Sequence, residues 1–183
     1  FDVMSESISN ISSKVGFEIK MGVDMAASEL YDPTQDCYDY GDISRSVDEQ
    51  IDYVSDLSRI YSLAYIEDPL DQDDFEGFSK LTNSIGESSL VCGDDLFATN
   101  VTRLKKGIDL KAANSILIKP NQIGTLTETL EAIDLAKKNN ITPVVSHRSG
   151  ETEDTTISHI AFATHAPYIK TGAVGGERTT KLN

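Results

Sequence analysis

The run SILIKPNQIGTLTETLEAIDLAKKNNITPVVSH, residues 115–147, decides the fold. It begins and ends with apolar, β-rich segments at residues 115–118 and 142–145, and between them leucine and isoleucine recur at helical spacing. Two short strands joined by a helix form a βαβ unit, which pairs its strands in parallel. The polar residues Lys119 and His147 stand just beyond these two strands.

The same alternation of apolar runs and helical patterns continues along the chain and predicts a parallel sheet. The six predicted strands are residues 17–23, 63–66, 90–92, 115–118, 142–145 and 168–170. Capping boxes are predicted where Ser46 precedes Glu49 and where Thr125 precedes Glu128. Because no linker rich in Pro, Gly or Ser divides the chain, residues 1–183 are predicted to be one domain or part of one.

A polar residue stands at the end of each predicted strand. The separations along this series are 43, 27, 25, 28 and 23 residues, about the size of one strand, one helix and their loops; the six residues are Asp24, Glu67, Asp94, Lys119, His147 and Lys170. The longest gap contains a segment predicted to be a polar loop, Tyr31 to Ser44. A doubly wound open sheet gathers such residues mostly near its switch point. Convergence from all six strands instead favours a TIM-type (β/α) barrel, whose sites lie at this face. A whole barrel has eight strands in about 250 residues, so we predict an incomplete barrel that lacks the first strands and the final helix.

Composition restricts the partners of the chain. Sixteen Lys and Arg against 30 Asp and Glu give a formal charge of −14, which disfavours nucleic acid and anionic membranes. Cys37 and Cys92 are too far apart for a C-x-x-C pair, and no apolar run approaches the length of a membrane span. We therefore expect a cytoplasmic protein without a disulfide framework.

Three of the strand-end residues are acids. Asp24, Glu67 and Asp94 would place three carboxylates around one point, and a hard cation such as Mg²⁺ makes such crowding tolerable. The alternative is three separate, solvated surface acids. The recurrence of the acid at the same position of each strand favours the metal site.

The remaining polar residues are mostly basic. Lys119 and Lys170 follow apolar strands, and a partly desolvated lysine near another cation can act as a base, although a strand-end lysine can also simply reach solvent. His147, Arg148 and Ser149 open a Ser/Gly loop that can grip an oxyanion or phosphate. A capped loop and a satisfied core histidine are the alternatives there.

Six ordered segments of the chain resemble the enolase family. They are Gly22-Val23-Asp24, Tyr65-Ile66-Glu67-Asp68-Pro69, Gly93-Asp94-Asp95-Leu96 with Thr99-Asn100, Lys119-Pro120-Asn121-Gln122-Ile123-Gly124-Thr125, Ser146-His147-Arg148-Ser149-Gly150-Glu151-Thr152-Glu153-Asp154 and Ile169-Lys170-Thr171-Gly172 followed by Glu177-Arg178. The first three resemble the family's metal-ligand segments, the fourth its catalytic lysine segment, and the fifth its most recognisable signature. The resemblance covers nearly the whole chain.

The resemblance implies phosphopyruvate hydratase activity, a hydro-lyase reaction that interconverts 2-phosphoglycerate and phosphoenolpyruvate in glycolysis and gluconeogenesis. It implies that Lys119 is the base and that the metal ligands are Asp24, Glu67 and Asp94. The substrate would be bound by His147, Arg148, Ser149 and Lys170, with two Mg²⁺ ions in a complete site, in a homodimer or larger homo-oligomer. The family's general-acid Glu and its N-terminal domain lie outside this chain, so we expect the isolated chain to be inactive.

Two other functions remain open from the sequence. Another member of the enolase superfamily would abstract a proton next to a carboxylate without needing the phosphate grip of Arg148 and Ser149. A non-catalytic surface-binding protein would have no need of the three acids. Testing 2-phosphoglycerate against plain hydroxy acids discriminates the first alternative, and Mg²⁺ titration discriminates the second.

Overall fold

The computed structural model describes residues 1–172 and 174–183. The chain forms two compact units, Phe1–Cys92 and Gly93–Asn183. Each unit contains parallel strands connected by helices, so the βα pattern predicted from the apolar runs is confirmed within each of them.

The first unit is built on three parallel strands, Gly22–Asp24, Tyr65–Glu67 and Leu90–Gly93, which are neighbours in that order. In chain order its elements are α1 (Asp2–Val15), β1 (Gly22–Asp24), a 3₁₀ turn (Ala27–Leu30), β2 (Tyr31–Asp32), β3 (Cys37–Asp39), β4 (Ser44–Ser46), α2 (Val47–Tyr61), β5 (Tyr65–Glu67), α3 (Phe75–Ile85) and β6 (Leu90–Gly93), whose last residue opens the second unit. The core of this unit includes Val54, Leu63, Ile66, Phe78 and Leu81, each at most 1% exposed.

Helix α2 shows how the sequence sets a local element. The hydroxyl of Ser46 accepts from the Glu49 backbone N–H, and the Glu49 carboxylate accepts from the Ser46 backbone N–H at 2.8 Å, which confirms the predicted capping box. Ile51, Val54 and Leu57 recur on one face and are buried against the rest of the unit. The cap fixes where the helix begins, and the apolar face fixes which side it buries.

The polar segment between β1 and α2, which the sequence pattern assigned to a loop, forms a small antiparallel sheet of β2, β3 and β4. Tyr38 is fully buried at its centre. The Arg45 guanidinium lies 4.5 Å from the ring centroid of Tyr40 and 4.0 Å from that of Tyr53. These aromatic contacts, which alternation of strands and helices does not report, stabilise the sheet.

The second unit contains three parallel strands, Ser115–Ile118, Thr142–Ser146 and Tyr168–Lys170, which are neighbours in that order. Its elements are α4 (Val101–Leu110), β7 (Ser115–Ile118), α5 (Pro120–Ile123), α6 (Leu126–Lys138), β8 (Thr142–Ser146), α7 (Thr156–Ala163), β9 (Tyr168–Lys170) and α8 (Gly176–Thr179). Every residue of β7 is buried, as expected for a strand covered on both faces. Ala132 and Ala136 of α6 are fully buried, and α6 contacts both β7 and β8.

Two local predictions need correction. The first strand begins at Gly22 rather than at residue 17, because α1 ends at Gly16 with φ +77 and Phe17 is 64% exposed. At α6 the hydroxyl of Thr125 accepts from the Glu128 N–H, but the Glu128 carboxylate accepts from that hydroxyl rather than from the Thr125 backbone. The second capping box is therefore only half formed.

The longest helix, α2, has 15 residues, fewer than the roughly 20 that span a bilayer. Among residues 1–172 and 174–183, no helix is both long and apolar enough to cross a membrane.

Candidate active site

Two of the predicted metal ligands lie side by side in the first unit. Asp24 is the last residue of β1 and Glu67 the last residue of β5, and the parallel register pairs them directly. The Asp24 residue is exposed, whereas Glu67 is only 1% exposed. Both acids therefore stand at the carboxyl ends of neighbouring strands, as the sequence predicts.

The carboxylate of Glu67 is held by its own strand. The Tyr65 hydroxyl donates to Oε2 of Glu67 at 2.5 Å. Burial, followed by the nearby Cys92 and Glu67, raises the pKa of Tyr65, so this phenol remains a hydrogen-bond donor at neutral pH. Because the donor is fixed by the strand, one carboxylate oxygen is held in place.

The turn after Glu67 is strained and tightly bonded. Asp68 is 4% exposed and has φ +40, a conformation that costs a residue other than glycine about 1–3 kcal/mol. Its N–H donates to the Cys92 carbonyl at 3.0 Å, and its carbonyl accepts from the Ala27 N–H at 3.0 Å. No role is assigned to Asp68 from the sequence, in which it is one acid among many.

Two buried side chains of the first unit hydrogen-bond to the backbone of the segment that follows Glu67. The amide nitrogen of Gln50, which is fully buried on α2, donates to the Pro69 carbonyl at 3.1 Å. The Tyr38 hydroxyl accepts from the Asp71 N–H at 2.8 Å. These contacts link the small antiparallel sheet and α2 to the segment that follows the candidate ligand Glu67.

In the second unit the predicted base and a predicted metal ligand form an ion pair. Nζ of Lys119 donates to Oδ2 of Asp94, and the two side chains are 14% and 11% exposed. The backbone N–H of Lys119 donates to the hydroxyl of Thr99 at 2.9 Å, and Thr99 is fully buried. The hydrogen bond to Thr99 fixes the backbone at the end of β7, where Lys119 follows the strand. The ion pair compensates both charges in a position that is largely buried.

The predicted substrate-binding residues lie at the carboxyl ends of β8 and β9. Ser146 pairs with Lys170 across these strands, and the His147 N–H donates to the Lys170 carbonyl at 2.9 Å. Nη1 of Arg148 donates to Oδ1 of Asn121 at 3.1 Å. His147, Lys170 and the start of the Arg148-Ser149 loop are therefore neighbours at one end of these strands.

Arg178, which sequence reasoning did not assign a role, contacts this loop. Its Nη1 donates to Nδ1 of His147 and, at 3.1 Å, to the carbonyl of Arg148; its Nη2 donates to the carbonyl of Ser149 at 3.1 Å. Burial and then the Arg178 charge lower the pKa of His147. The imidazole is therefore held in its neutral form with Nδ1 as an acceptor. The segment that carries this arginine follows β9 by several residues, so only the fold reveals the contact.

The six strand-end residues all occupy the carboxyl ends of parallel strands, two in the first unit and four in the second. Within units, the structure brings together Asp24 with Glu67, Asp94 with Lys119, and His147 with Lys170. Acids, a lysine and a loop that carries an arginine, placed at the carboxyl ends of parallel strands, are typical of (β/α)-barrel enzymes.

Comparison with known proteins identifies the family. All of residues 1–183 match the family model described as "Enolase, C-terminal TIM barrel domain", so the chain belongs to the enolase family. It is 61% identical to a protein named Enolase from Halorubrum lacusprofundi, 59% identical to one from Halobacterium salinarum and 51% identical to one from Archaeoglobus fulgidus, each over 183 residues. The predicted resemblance is confirmed.

The description of the family model also confirms the fold class, a TIM-type barrel of which this chain is part. The alignments use the whole chain but only 45% to 46% of these three relatives, so the chain spans less than half their length. The other superfamily reaction and the non-catalytic binding role are not favoured, because the relatives are named as enolases. Family membership implies a divalent metal.

Proposed function

We propose that the full-length protein is a phosphopyruvate hydratase that dehydrates 2-phosphoglycerate to phosphoenolpyruvate and catalyses the reverse reaction, and that residues 1–183 belong to its catalytic barrel domain. The ion pair of Lys119 with Asp94 is the observation that carries this proposal. It joins a candidate base to a candidate metal ligand within one unit, in a chain whose relatives are named Enolase.

Lys119 is the proposed general base. In its amine form it takes the proton from the carbon next to the substrate carboxylate, and in the reverse direction its ammonium returns that proton. A proton beside an ionised carboxylate is very weakly acidic, so the dianion that forms needs concentrated positive charge around it. The hydrogen bond from the Lys119 N–H to Thr99 and the ion pair with Asp94 fix the lysine for this task.

Asp24, Glu67 and Asp94 are the proposed metal ligands. All three offer carboxylate oxygens, the donors that Mg²⁺ prefers, and Glu67 has one oxygen already oriented by Tyr65, so the donor set fits a hard divalent cation. When bound, such a cation neutralises the charge that develops on the substrate carboxylate. By family resemblance, two Mg²⁺ ions complete the site.

Arg148 and Ser149 are the proposed phosphate ligands, and Lys170 the proposed partner of the substrate carboxylate. An arginine fork suits a phosphate because two N–H groups donate in parallel. His147 lines the same end of β8, and its lowered pKa keeps it a neutral group beside these cations. Arg148 and Ser149 therefore favour a phosphorylated acid over a plain hydroxy acid, which has no phosphate for them to bind.

The remaining proposals concern setting and assembly. The substrates are 2-phosphoglycerate and phosphoenolpyruvate, the protein is a homodimer or larger homo-oligomer, and it works in the cytoplasm. The formal charge of −14 supports the proposal that neither nucleic acid nor a membrane is a partner.

Turnover by the purified full-length protein tests the proposed function. With Mg²⁺ at neutral pH, 2-phosphoglycerate should give phosphoenolpyruvate, followed by the absorbance of the new double bond. Lactate and glycerate, which lack the phosphate, should give no product. Dehydration of a plain hydroxy acid in preference to 2-phosphoglycerate would overturn the proposal in favour of another superfamily reaction.

A further inference from the structure

The loop that carries Arg148 and Ser149 lacks regular structure of its own. Residues 147–155 contain neither helix nor strand. A segment of this length without a hydrogen-bond ladder opens easily unless other parts of the protein hold its backbone. The hydrogen-bond donors that contact its carbonyls therefore determine how precisely its side chains are positioned.

One guanidinium spans the start of this loop. Arg178 donates to three consecutive residues: the ring of His147, the carbonyl of Arg148 and the carbonyl of Ser149. Its side chain is 18% exposed, and its Nε lies 3.8 Å from Oε1 of Glu177. The planar guanidinium of arginine loses little conformational entropy for each hydrogen bond that it forms. These three contacts therefore hold the start of the loop in one conformation.

Gly172 lies beside this arginine. That residue has φ +73, and a Cβ built on it would lie 3.5 Å from Cδ of Arg178 and 3.7 Å from Cε1 of His147. A Cβ there would make only ordinary van der Waals contacts, so it is the left-handed backbone that favours glycine at this position.

A buried lysine holds the far end of the loop. The Lys181 side chain is 1% exposed, and its Nζ donates to the carbonyl of Thr152 and, at 2.7 Å, to that of Glu177. The same nitrogen lies 3.7 Å from Oε1 of Glu151. A buried ammonium with this set of acceptors is compensated in place, so it ties the loop to α8 rather than serving as a free charge.

We propose that Arg178 is a positioning residue that sets the backbone of residues 147–149, and with it the two groups that would bind the substrate phosphate, while Lys181 holds the other end of the loop. This inference rests on the proposed function. Arg178 acts through Arg148 and Ser149: its N–H groups are directed at loop carbonyls and at the His147 ring.

Binding of inorganic phosphate to the full-length protein tests this role without turnover. Arg178→Ala should raise the dissociation constant for phosphate about tenfold, the change expected if a misplaced Arg148-Ser149 loop loses one charge-assisted hydrogen bond to the phosphate. Arg178→Lys keeps the charge but cannot span three acceptors, and should lose a large part of the same affinity. Lys105→Ala, an exposed cation on α4, is the matched control and should bind phosphate as the wild type does.

The titration of His147 gives an independent readout. With labelled histidine, NMR should show the pKa of His147 rising in Arg178→Ala, because the adjacent positive charge is gone. Wild-type phosphate affinity in a folded Arg178→Ala protein would overturn the inference. If that variant does not fold, wild-type affinity in Arg178→Lys would overturn it instead. A wild-type protein that fails to form phosphoenolpyruvate refutes the proposed function, whereas the phosphate and His147 readouts decide the role of Arg178 alone.

Discussion

Nζ of Lys119 donates to Oδ2 of Asp94, and the two side chains are only 14% and 11% exposed. Breaking a buried pair by removing one partner costs about 3–5 kcal/mol, because the other charge stays uncompensated. The pair therefore contributes to stability, in addition to the chemistry proposed for Lys119. Any variant at either position has to be judged by both readouts.

Lys119→Ala in the full-length protein should abolish exchange of the substrate α-proton with solvent deuterium. Loss of a positioned base lowers the rate by about 10²–10⁴-fold, and nothing else in the proposed mechanism takes that proton. NMR of 2-phosphoglycerate in D₂O with Mg²⁺ measures the exchange directly. Continued exchange at the wild-type rate would refute the assignment of Lys119.

Two controls separate chemistry from folding in this experiment. Lys105→Ala removes an exposed cation from α4 and should leave exchange unchanged. Lys119→Met keeps the aliphatic stem, and should also abolish exchange. Circular dichroism establishes that each variant is folded before its rate is compared.

Glu67→Gln should weaken Mg²⁺ binding at least about tenfold, because it removes a charged oxygen ligand. The side chain is nearly the same size, and the Tyr65 hydroxyl can still donate to the amide oxygen, so the fold should survive. Calorimetric titration of the metal-free full-length protein measures the affinity. Glu29→Gln, an exposed acid of the same unit, is the control, and equal affinities for the two variants would contradict the ligand assignment.

The sequence predicts the strands and their polar end residues because these features are local. Residues 116–118 are apolar and, with Ser115, form a fully buried strand, and Lys119 follows it as predicted. The Ser46 capping box forms for the same reason, since its four residues contain all the groups involved. The strand direction predicts where the polar end residues lie, because the carboxyl ends of neighbouring parallel strands are at the same face of a sheet.

Contacts between distant segments escape sequence reasoning. The bond between Arg178 and the Ser149 carbonyl joins residues 29 positions apart, and no periodicity reports it. The positive φ of Asp68 is also invisible, since an aspartate there reads as one more acid. The sheet of β2, β3 and β4 was missed because its strands have only two or three residues each, too few to show alternation.

His147 should make stability depend on pH. Burial, and then the Arg178 charge, lower its pKa in the folded state, so the unfolded chain binds more protons near the ordinary value of about 6.5. The contribution of the neutral imidazole is fully present above that pH and is lost as the pH falls towards the folded pKa. His147→Gln should therefore flatten the fall in the free energy of unfolding between about pH 7 and pH 5.

Urea unfolding of the full-length protein at several pH values measures this slope. His159→Gln, at an exposed histidine of α7, is the matched control and should keep the wild-type slope. An unchanged slope in the His147 variant would show that this histidine is not held neutral by its surroundings.

Gly107→Ala should destabilise the protein, against the usual preference of helices for alanine. Gly107 lies inside α4, where the exchange would ordinarily gain about 1 kcal/mol. Here a Cβ would lie 2.3 Å from Cε1 and 2.8 Å from Cζ of Phe97, a ring that is fully buried and so has no free space to move into. Overpacking of this kind costs about 1–3 kcal/mol, so we expect a lower free energy of unfolding in urea. Lys105→Ala on the same helix should leave that free energy nearly unchanged, and a Gly107→Ala variant more stable than the wild type would mean that the Phe97 ring is not confined as the structure places it.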